Sequence, residues 1–295
     1  MFRIFGTVFA GLVGLAFGSF LNVCLSRWPA GESVVKPRSH CRNCGRTLAW
    51  WENVPLLSWL ALRGRCRTCG TWISWRYPLV ELAVGVLWAL IGWQACSGYP
   101  EGPVSFSPLG LVEHVTAVCE KMLLTWMLVG LAALDLEHLW LPDIVTMPGI
   151  LLGILVCLLR RGSVLATSSA PLSVLNQLLR LAFSILIAYG LILLIRWIYW
   201  LVRRREGIGL GDAKLMALLA AWLGLPGALL AFAIGVVLGA LVGVAILIKP
   251  RDGEGVEPAG QMKLPLGTFL CIGGIISALW GQPILAAYMR WSGMS

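Results

Sequence analysis

Long apolar runs without a charged residue alternate with short polar stretches along this chain. Most runs approach the roughly 20 residues that a helix needs to cross a bilayer, some of them with flanking residues added. The runs are 4–26, 82–100, 122–134, 144–159, 181–195, 215–248 and 264–289. Run 215–248 is too long for one helix and carries Gly224-Leu225-Pro226-Gly227, which predicts a tight helical hairpin. The pattern predicts an all-α polytopic membrane protein with about eight transmembrane helices.

Composition excludes a soluble globular protein, because 58% of the residues are hydrophobic and only 13% are charged. The first apolar run is longer than the core of a secretory signal, and no small-residue cleavage site follows it. We therefore expect this run to remain as the first membrane helix.

The distribution of Lys and Arg predicts the orientation of the helices. Nine basic residues lie between Arg27 and Arg76, whereas the loop around Glu101 and Glu113 has none. The positive-inside rule therefore places the first loop in the cytoplasm. This bias accounts for most of the net charge of +9, so nucleic-acid binding is not expected and membrane lipid is the expected partner of the basic loop.

Four cysteines lie in this polar loop between the first and second helices. They form two Cys-x-x-Cys pairs separated by 21 residues: Cys41, Cys44, Cys66 and Cys69. Four thiolates suffice for a tetrahedral structural zinc site, although paired thiols can also be redox-active or unmetallated. A reducing cytoplasm disfavours disulfides, which favours zinc. A closed site of this kind shapes the loop and performs no chemistry itself.

Ionisable groups at the ends of the apolar runs are the candidates for chemistry. Asp135 ends the third run, Asp143 precedes the fourth, and Asp212 in Gly209-Leu210-Gly211-Asp212 opens the sixth span. In the predicted topology, Asp135 and Asp212 reach the same cytoplasmic depth. Two carboxylates held close together can act as base and acid on a water and an amide.

Two of the three aspartates also have a structural interpretation. Asp212 and Asp143 stand at helix starts, where a carboxylate can cap backbone N–H groups. Asp135 stands at a helix C-terminal end, where the helix dipole disfavours a negative charge. Asp135 is therefore the strongest functional candidate of the three, while His138 beside it is interpreted as a solvated polar residue.

Five motifs are distributed nearly from end to end of the chain. They are Gly18-Ser19-Phe20-Leu21-Asn22-Val23, the two cysteine pairs flanking Trp51-Glu52-Asn53-Val54-Pro55-Leu56, Arg76-Tyr77-Pro78-Leu79-Val80-Glu81, the stretch 135–148, and Gly209-Leu210-Gly211-Asp212-Ala213-Lys214-Leu215. In this order and spacing they resemble the type IV prepilin peptidases, a family of bacterial inner-membrane aspartic peptidases of the Gly-x-Gly-Asp type.

The resemblance implies a bifunctional enzyme. Members of the family cleave the basic leader of prepilins or type II secretion pseudopilins at the cytoplasmic membrane face, and many then methylate the new N-terminus with S-adenosylmethionine. By motif, Asp135 and Asp212 are the implied catalytic pair. The cysteine loop is associated with methylation, which makes Glu52, Asn53 and Gly64 candidates for binding the methyl donor.

The resemblance also implies three parts of the chain. These are a first helix over 1–27, a zinc-binding loop linked to methyl transfer over 28–78, and a membrane peptidase domain over 79–295. Two other functions stay open: a peptidase without methyltransferase activity, and a cation-coupled transporter. A transporter is expected to place acids near mid-membrane, often within internal repeats, whereas both acids here map to one boundary and no repeat is evident.

Overall fold

The computed structural model describes residues 2–98, 108–165, 171–204, 209–248 and 264–293, and within them the regular secondary structure is helical apart from two isolated β-bridges in the first loop. The helices are α1 Phe2–Arg27, α2 Leu57–Ala61, α3 Arg76–Ser97, α4 Pro108–His138, α5 Asp143–Leu165, α6 Pro171–Arg203, α7 Leu210–Ile248 and α8 Leu266–Trp291. Six of them, α1, α3, α4, α6, α7 and α8, are long and apolar enough to cross a membrane. The predicted class, an all-α polytopic membrane protein, is confirmed.

Helix α7 is interrupted where the sequence predicts a division. Gly224 has φ 70° and ψ 175°, a conformation that breaks the helix and that residues with a side chain rarely adopt. In α5, the apolar part Asp143–Leu159 is shorter than the six long helices. The predicted number of about eight counts α5 and the two parts of α7 separately, whereas six of the described helices are long and apolar enough to cross a membrane.

The helices extend beyond the charge-free runs that predicted them. Helix α4 begins at Pro108, whereas the corresponding run begins at residue 122. Its first half carries Glu113, Glu120 and Lys121, which end the charge-free run without ending the helix. A charge-free run therefore marks the most apolar part of a helix and not the helix ends.

The contacts between residues divide the chain into two compact units, Met1–Ala133 and Leu134–Ser295. In the first unit, α1 packs closely along α3: a Cβ atom on Gly18 would come within 2.7 Å of the Cα of Glu81. Small residues permit such close helix contact in membranes. Helix α4 joins the pair through Trp126, whose Nε1 donates to the carbonyl of Phe17 at 3.0 Å.

A buried polar cluster lies at the start of α3 in the same unit. The Glu81 carboxylate accepts a hydrogen bond from the Leu56 N–H at 2.8 Å, and Asn22 Nδ2 donates to the Tyr77 carbonyl at 2.9 Å. Leu56 has a positive φ of 59°, which is unfavourable for leucine. The Glu81 carboxylate thus fixes the strained residue that directly precedes α2 within the cysteine loop.

In the second unit, the two parts of α7 have different neighbours. The first part packs on α5, where Trp222 Nε1 donates to the Gly149 carbonyl at 2.8 Å. The second part packs on α8, where Ser277 Oγ donates to the Gly227 carbonyl at 2.9 Å. Residues 215–222 of the first part are all buried, whereas the second part has few buried residues.

Candidate active site and metal centre

Asp135 lies in the last turn of α4 and is buried. Thr268, in the first turn of α8, donates two hydrogen bonds to Asp135 Oδ2: one from its backbone N–H at 2.6 Å and one from its hydroxyl at 3.0 Å. These two bonds fix the position of the carboxylate. The predicted location of Asp135 at a helix C-terminal end is confirmed, since α4 ends at His138.

Gly267 allows α8 to approach this carboxylate. A Cβ atom at this position would lie 2.9 Å from Asp135 Oδ2 and 3.0 Å from Leu141 Cδ1. Real Cβ atoms essentially never come within 3.0 Å of a neighbouring heavy atom. Glycine is therefore required for Thr268 to reach the aspartate.

Asp212 lies in the first turn of α7 and is also buried. Its carboxylate accepts a hydrogen bond from the backbone of Gly209, immediately before the helix, and interacts electrostatically with Asp135. Gly211 packs on Leu141, because a Cβ there would lie 3.1 Å from the Leu141 Cβ. The structure thus brings the two predicted aspartates together in one buried site.

Asp143 has a different environment. It is the first residue of α5 and largely exposed, and its Oδ1 accepts a hydrogen bond from Lys214 Nζ at 2.6 Å. The helix-cap interpretation of Asp143 did not anticipate this ion pair. His138 faces Glu137 at 3.8 Å and is likewise exposed, as expected for a solvated residue.

The four cysteines lie on two turns with the same backbone geometry. The Cys41 N–H donates to the Arg46 carbonyl, and the Cys66 N–H donates to the Thr71 carbonyl, both at 2.9 Å. Gly45 and Gly70 have φ of 69° in each turn, which glycine tolerates. The chain therefore presents two equivalent Cys-x-x-Cys turns to one another.

The thiol groups of these turns fit a metal ion. Their four sulfur atoms lie within 4.8 Å of one another, and Cys41 Sγ is 3.7 Å from Cys69 Sγ. Four sulfurs around a zinc ion, each about 2.3 Å from it, stand about 3.8 Å apart. Hydrogen bonds from the Thr71 hydroxyl and backbone lower the pKa of Cys69 to about 5, and backbone N–H groups of Cys69 and Thr68 lower the pKa of Cys66. Both shifts favour the thiolate that a metal requires, whereas desolvation and hydrogen bonds with the three other thiols raise the pKa of Cys44 to about 11.

Arg46 links the two cysteine turns and forms a half-buried ion pair with Glu52. Arg46, two residues after Cys44, donates to Glu52 Oε1 at 2.6 Å and also hydrogen-bonds Cys66 of the other turn. Glu52 Oε2 accepts the Ala49 N–H at 2.7 Å. The Arg46 hydrogen bond and the Ala49 N–H lower the pKa of Glu52, so the carboxylate is ionised where it meets the guanidinium.

The three residues predicted to bind a methyl donor have distinct positions. The Glu52 side chain is buried in its ion pair, and Asn53 is exposed at the end of a short 3₁₀ turn. Gly64 is buried with φ of 66°, and a Cβ there would lie 2.8 Å from the Trp59 ring. The described contacts of Glu52 and Gly64 lie within the loop, and their role in donor binding stays a prediction.

Comparison with known proteins connects both sites to one family. Residues 12–95 match the family model of the bacterial peptidase A24 N-terminal domain, and residues 122–244 match that of the type IV leader peptidase family. The first match covers the cysteine turns, and the second covers both aspartates.

Curated relatives resemble nearly the whole chain. A prepilin leader peptidase/N-methyltransferase of Stutzerimonas stutzeri is 31% identical, covering 95% of this chain and 93% of the relative. Proteins of the same name from Pseudomonas aeruginosa and Myxococcus xanthus are 32% and 36% identical, covering 96% and 86% of this chain and 93% and 69% of the relative. No solved structure matches the chain significantly. The chain therefore belongs to the type IV leader peptidase family.

Proposed function

We propose that this protein cleaves the leader peptide of type IV prepilins or type II secretion pseudopilins and then methylates the new N-terminal residue. The observation that carries the peptidase activity is the buried pair of Asp135 and Asp212 at the ends of two membrane helices. The names of the relatives support both activities. A peptidase that has lost methylation fits less well, because the cysteine turns are complete.

The aspartate pair can hydrolyse an amide as a general base and a general acid. Two nearby carboxylates share one proton, since both cannot ionise cheaply. The ionised carboxylate takes a proton from a water molecule, and the water oxygen forms a bond to the scissile carbonyl carbon. The protonated carboxylic acid gives its proton to the leaving nitrogen, and the carbon–nitrogen bond breaks. The products are the leader acid and a free N-terminal amine.

Thr268 and Gly267 are positioning residues in this proposal. The two hydrogen bonds from Thr268 hold Asp135 in one orientation, and Gly267 leaves the space that those bonds need. A carboxylate that is already held in position needs little reorganisation when it deprotonates the water, which lowers the free-energy barrier of this step. The Lys214–Asp143 ion pair also joins the start of α7 to the start of α5, but Asp143 is largely exposed, and exposed ion pairs contribute little.

The cysteine turns are proposed to hold a structural zinc ion. Cys41, Cys44, Cys66 and Cys69 would be its ligands, and the ion would supply a cross-link between the turns. The Arg46 hydrogen bond to Cys66 would offset part of the negative charge of four thiolates. Residues 28–78 are assigned to methyl transfer by resemblance alone, so we derive no step of that reaction from Glu52, Asn53 or Gly64.

The proposed location is the bacterial inner membrane, with the cysteine loop and both aspartates facing the cytoplasm. The excess of basic residues in the first loop supports this orientation. A prepilin presents its basic leader on that side, ahead of an apolar helix. The residues 79–295 are proposed to form the peptidase domain around Asp135 and Asp212.

The test uses the purified protein in detergent with a full-length prepilin and S-adenosylmethionine, and the product mass is measured. We expect a shortened product carrying one methyl group. Asp135→Asn and Asp212→Asn should abolish cleavage yet still methylate a substrate that was cleaved beforehand. Asp143→Asn is the matched control and should retain most activity, because Asp143 is exposed.

Each other outcome has a definite meaning. Cleavage by either catalytic variant would refute the aspartate pair. A shortened product without the methyl group would leave only the peptidase. No cleavage by the wild-type protein would favour the cation transporter.

A further inference from the structure

Three tryptophans form a cluster in the cysteine loop, one on α2 and two between the second cysteine turn and α3. The Trp59 ring centroid is 4.2 Å from that of Trp75 and 5.9 Å from that of Trp72, and Trp72 and Trp75 are 6.2 Å apart. Trp59 Nε1 donates to the Ile73 carbonyl at 3.2 Å. Gly64 lies against the rings of Trp59 and Trp72, where a Cβ would meet Trp59 at 2.8 Å. The three rings therefore have a defined arrangement, which the hydrogen bond of Trp59 and the packing of Gly64 maintain.

The cluster and the neighbouring helix α2 expose an unusual amount of apolar surface. Trp72 and Trp75 are 52% and 57% exposed, and Leu57 and Leu60 are 66% and 63% exposed. Leu57 and Leu60 lie one turn apart on α2, which also carries Trp59. We call these five residues the tryptophan face. An exposed apolar surface of this kind marks a contact with a membrane or a partner.

The position of the tryptophan face favours a membrane. Trp75 directly precedes Arg76, the first residue of the membrane-capable helix α3. The face is therefore continuous along the chain with a segment that enters the bilayer. Tryptophan is enriched at the headgroup level, where the ring is partly apolar and its N–H can reach water or lipid.

The charges around the tryptophan face identify the kind of lipid. Arg63, Arg65 and Arg67 are exposed in the segment that leads from α2 to Trp72, and the stretch 57–76 contains no Asp or Glu. Such a segment attracts anionic headgroups, and the attraction grows with each basic residue near the surface. The same charges repel a basic leader peptide, which makes the prepilin leader a poor occupant.

We propose that the tryptophan face lies in the headgroup layer of an anionic bilayer, with Arg63 and Arg65 contacting lipid phosphates. The cysteine loop then rests on the membrane surface and does not stand free in solution. This contact is independent of the proposed catalytic activities, and its test measures lipid contact directly.

The test uses the full-length protein in lipid nanodiscs containing lipids brominated on the acyl chain near the headgroup, which quench nearby tryptophans. The chain has 15 tryptophans, so the relevant emission is obtained by difference between the wild type and a Trp72→Phe/Trp75→Phe variant. Phenylalanine keeps the apolar packing of the cluster. Trp50→Phe is the control, because Trp50 is 77% exposed and lies outside the face.

We expect the emission of the Trp72 and Trp75 pair to be quenched roughly twofold or more above that of Trp50. The excess should be larger in nanodiscs with phosphatidylglycerol than in purely zwitterionic ones. In an Arg63→Gln/Arg65→Gln protein, this dependence on the headgroup should disappear. Quenching of the pair no stronger than that of Trp50 overturns the proposal. Loss of quenching on addition of a synthetic leader peptide also overturns it, because the face would then be a peptide site.

Discussion

The hydroxyl of Thr268 offers a sharp test of how Asp135 is held. Thr268→Val removes the 3.0 Å bond to Oδ2 while preserving side-chain shape and the 2.6 Å bond from the backbone N–H. A hydrogen bond to a charged group contributes about 1.5–3 kcal/mol. At about 1.4 kcal/mol for each tenfold change, this range corresponds to a loss of about 10- to 150-fold in cleavage rate. The remaining N–H bond and the partial exposure of Thr268 favour the lower end, about tenfold.

The assay is single-turnover cleavage of a prepilin, followed by product mass. Thr268→Ser is the matched control, because it keeps the hydroxyl, and it should stay within about threefold of the wild type. Methylation of a previously cleaved substrate should be unchanged in both variants. A wild-type cleavage rate in Thr268→Val, or an equal loss in Thr268→Ser, would refute the positioning role. A lower melting temperature in Thr268→Val alone would indicate a general loss of stability instead.

Three further predictions concern stability and the loop. Gly273→Ala should destabilise the protein by about 1–3 kcal/mol, because its Cβ would collide with a backbone carbonyl of α7. Gly190→Ala, with open space around it, should be neutral or slightly stabilising in the same thermal unfolding measurement. Glu81→Ala should speed hydrogen exchange at Leu56 while Glu81→Gln does not, and equal exchange in both would contradict the anchoring bond. Cys41→Ser should lower the bound zinc from about one ion per chain to none, measured by metal analysis; full zinc in this variant would exclude Cys41 as a ligand.

Much of the architecture could be predicted from the sequence because the membrane restricts the possible structures. Backbone groups in lipid must be satisfied internally, so an apolar run near 20 residues becomes a helix whatever its neighbours are. The break at Gly224 could be predicted for a similar reason, since glycine and proline have local conformational effects. Helix ends could not be predicted: Glu113 and Glu120 interrupt the hydropathy of α4 but not its helix.

The candidate site was predictable only in part. A carboxylate at the end of an apolar run is conspicuous, so Asp135 and Asp212 could be found. Thr268 could not be found, because a threonine within an apolar run carries no sequence signal and gains its meaning only from the packing of α8 on Asp135. Lys214 could be noticed in the sequence because it lies two residues after Asp212. Its ion-pair partner, Asp143, is 71 residues away, and no local sequence pattern reveals a contact at that separation. The same holds for the pairing of Arg46 with Cys66, which depends on the folded loop.

The division of α7 at Gly224 has a consequence for how this protein tolerates change during evolution. In the segment 215–222 every residue is enclosed by protein, so each side chain must match a fixed volume. Beyond the break, Gly227, Ala228, Ala231 and Gly235 are buried where α7 packs on α8. The other side chains of Leu225–Ile248 are exposed or half-buried, and there one apolar residue can replace another with little effect. A saturation mutagenesis profile across this single helix should therefore change abruptly at Gly224, from nearly intolerant to broadly permissive. The half that carries Asp212 would diverge slowly, while the other half, apart from the small residues that pack on α8, would drift with only its hydrophobicity conserved.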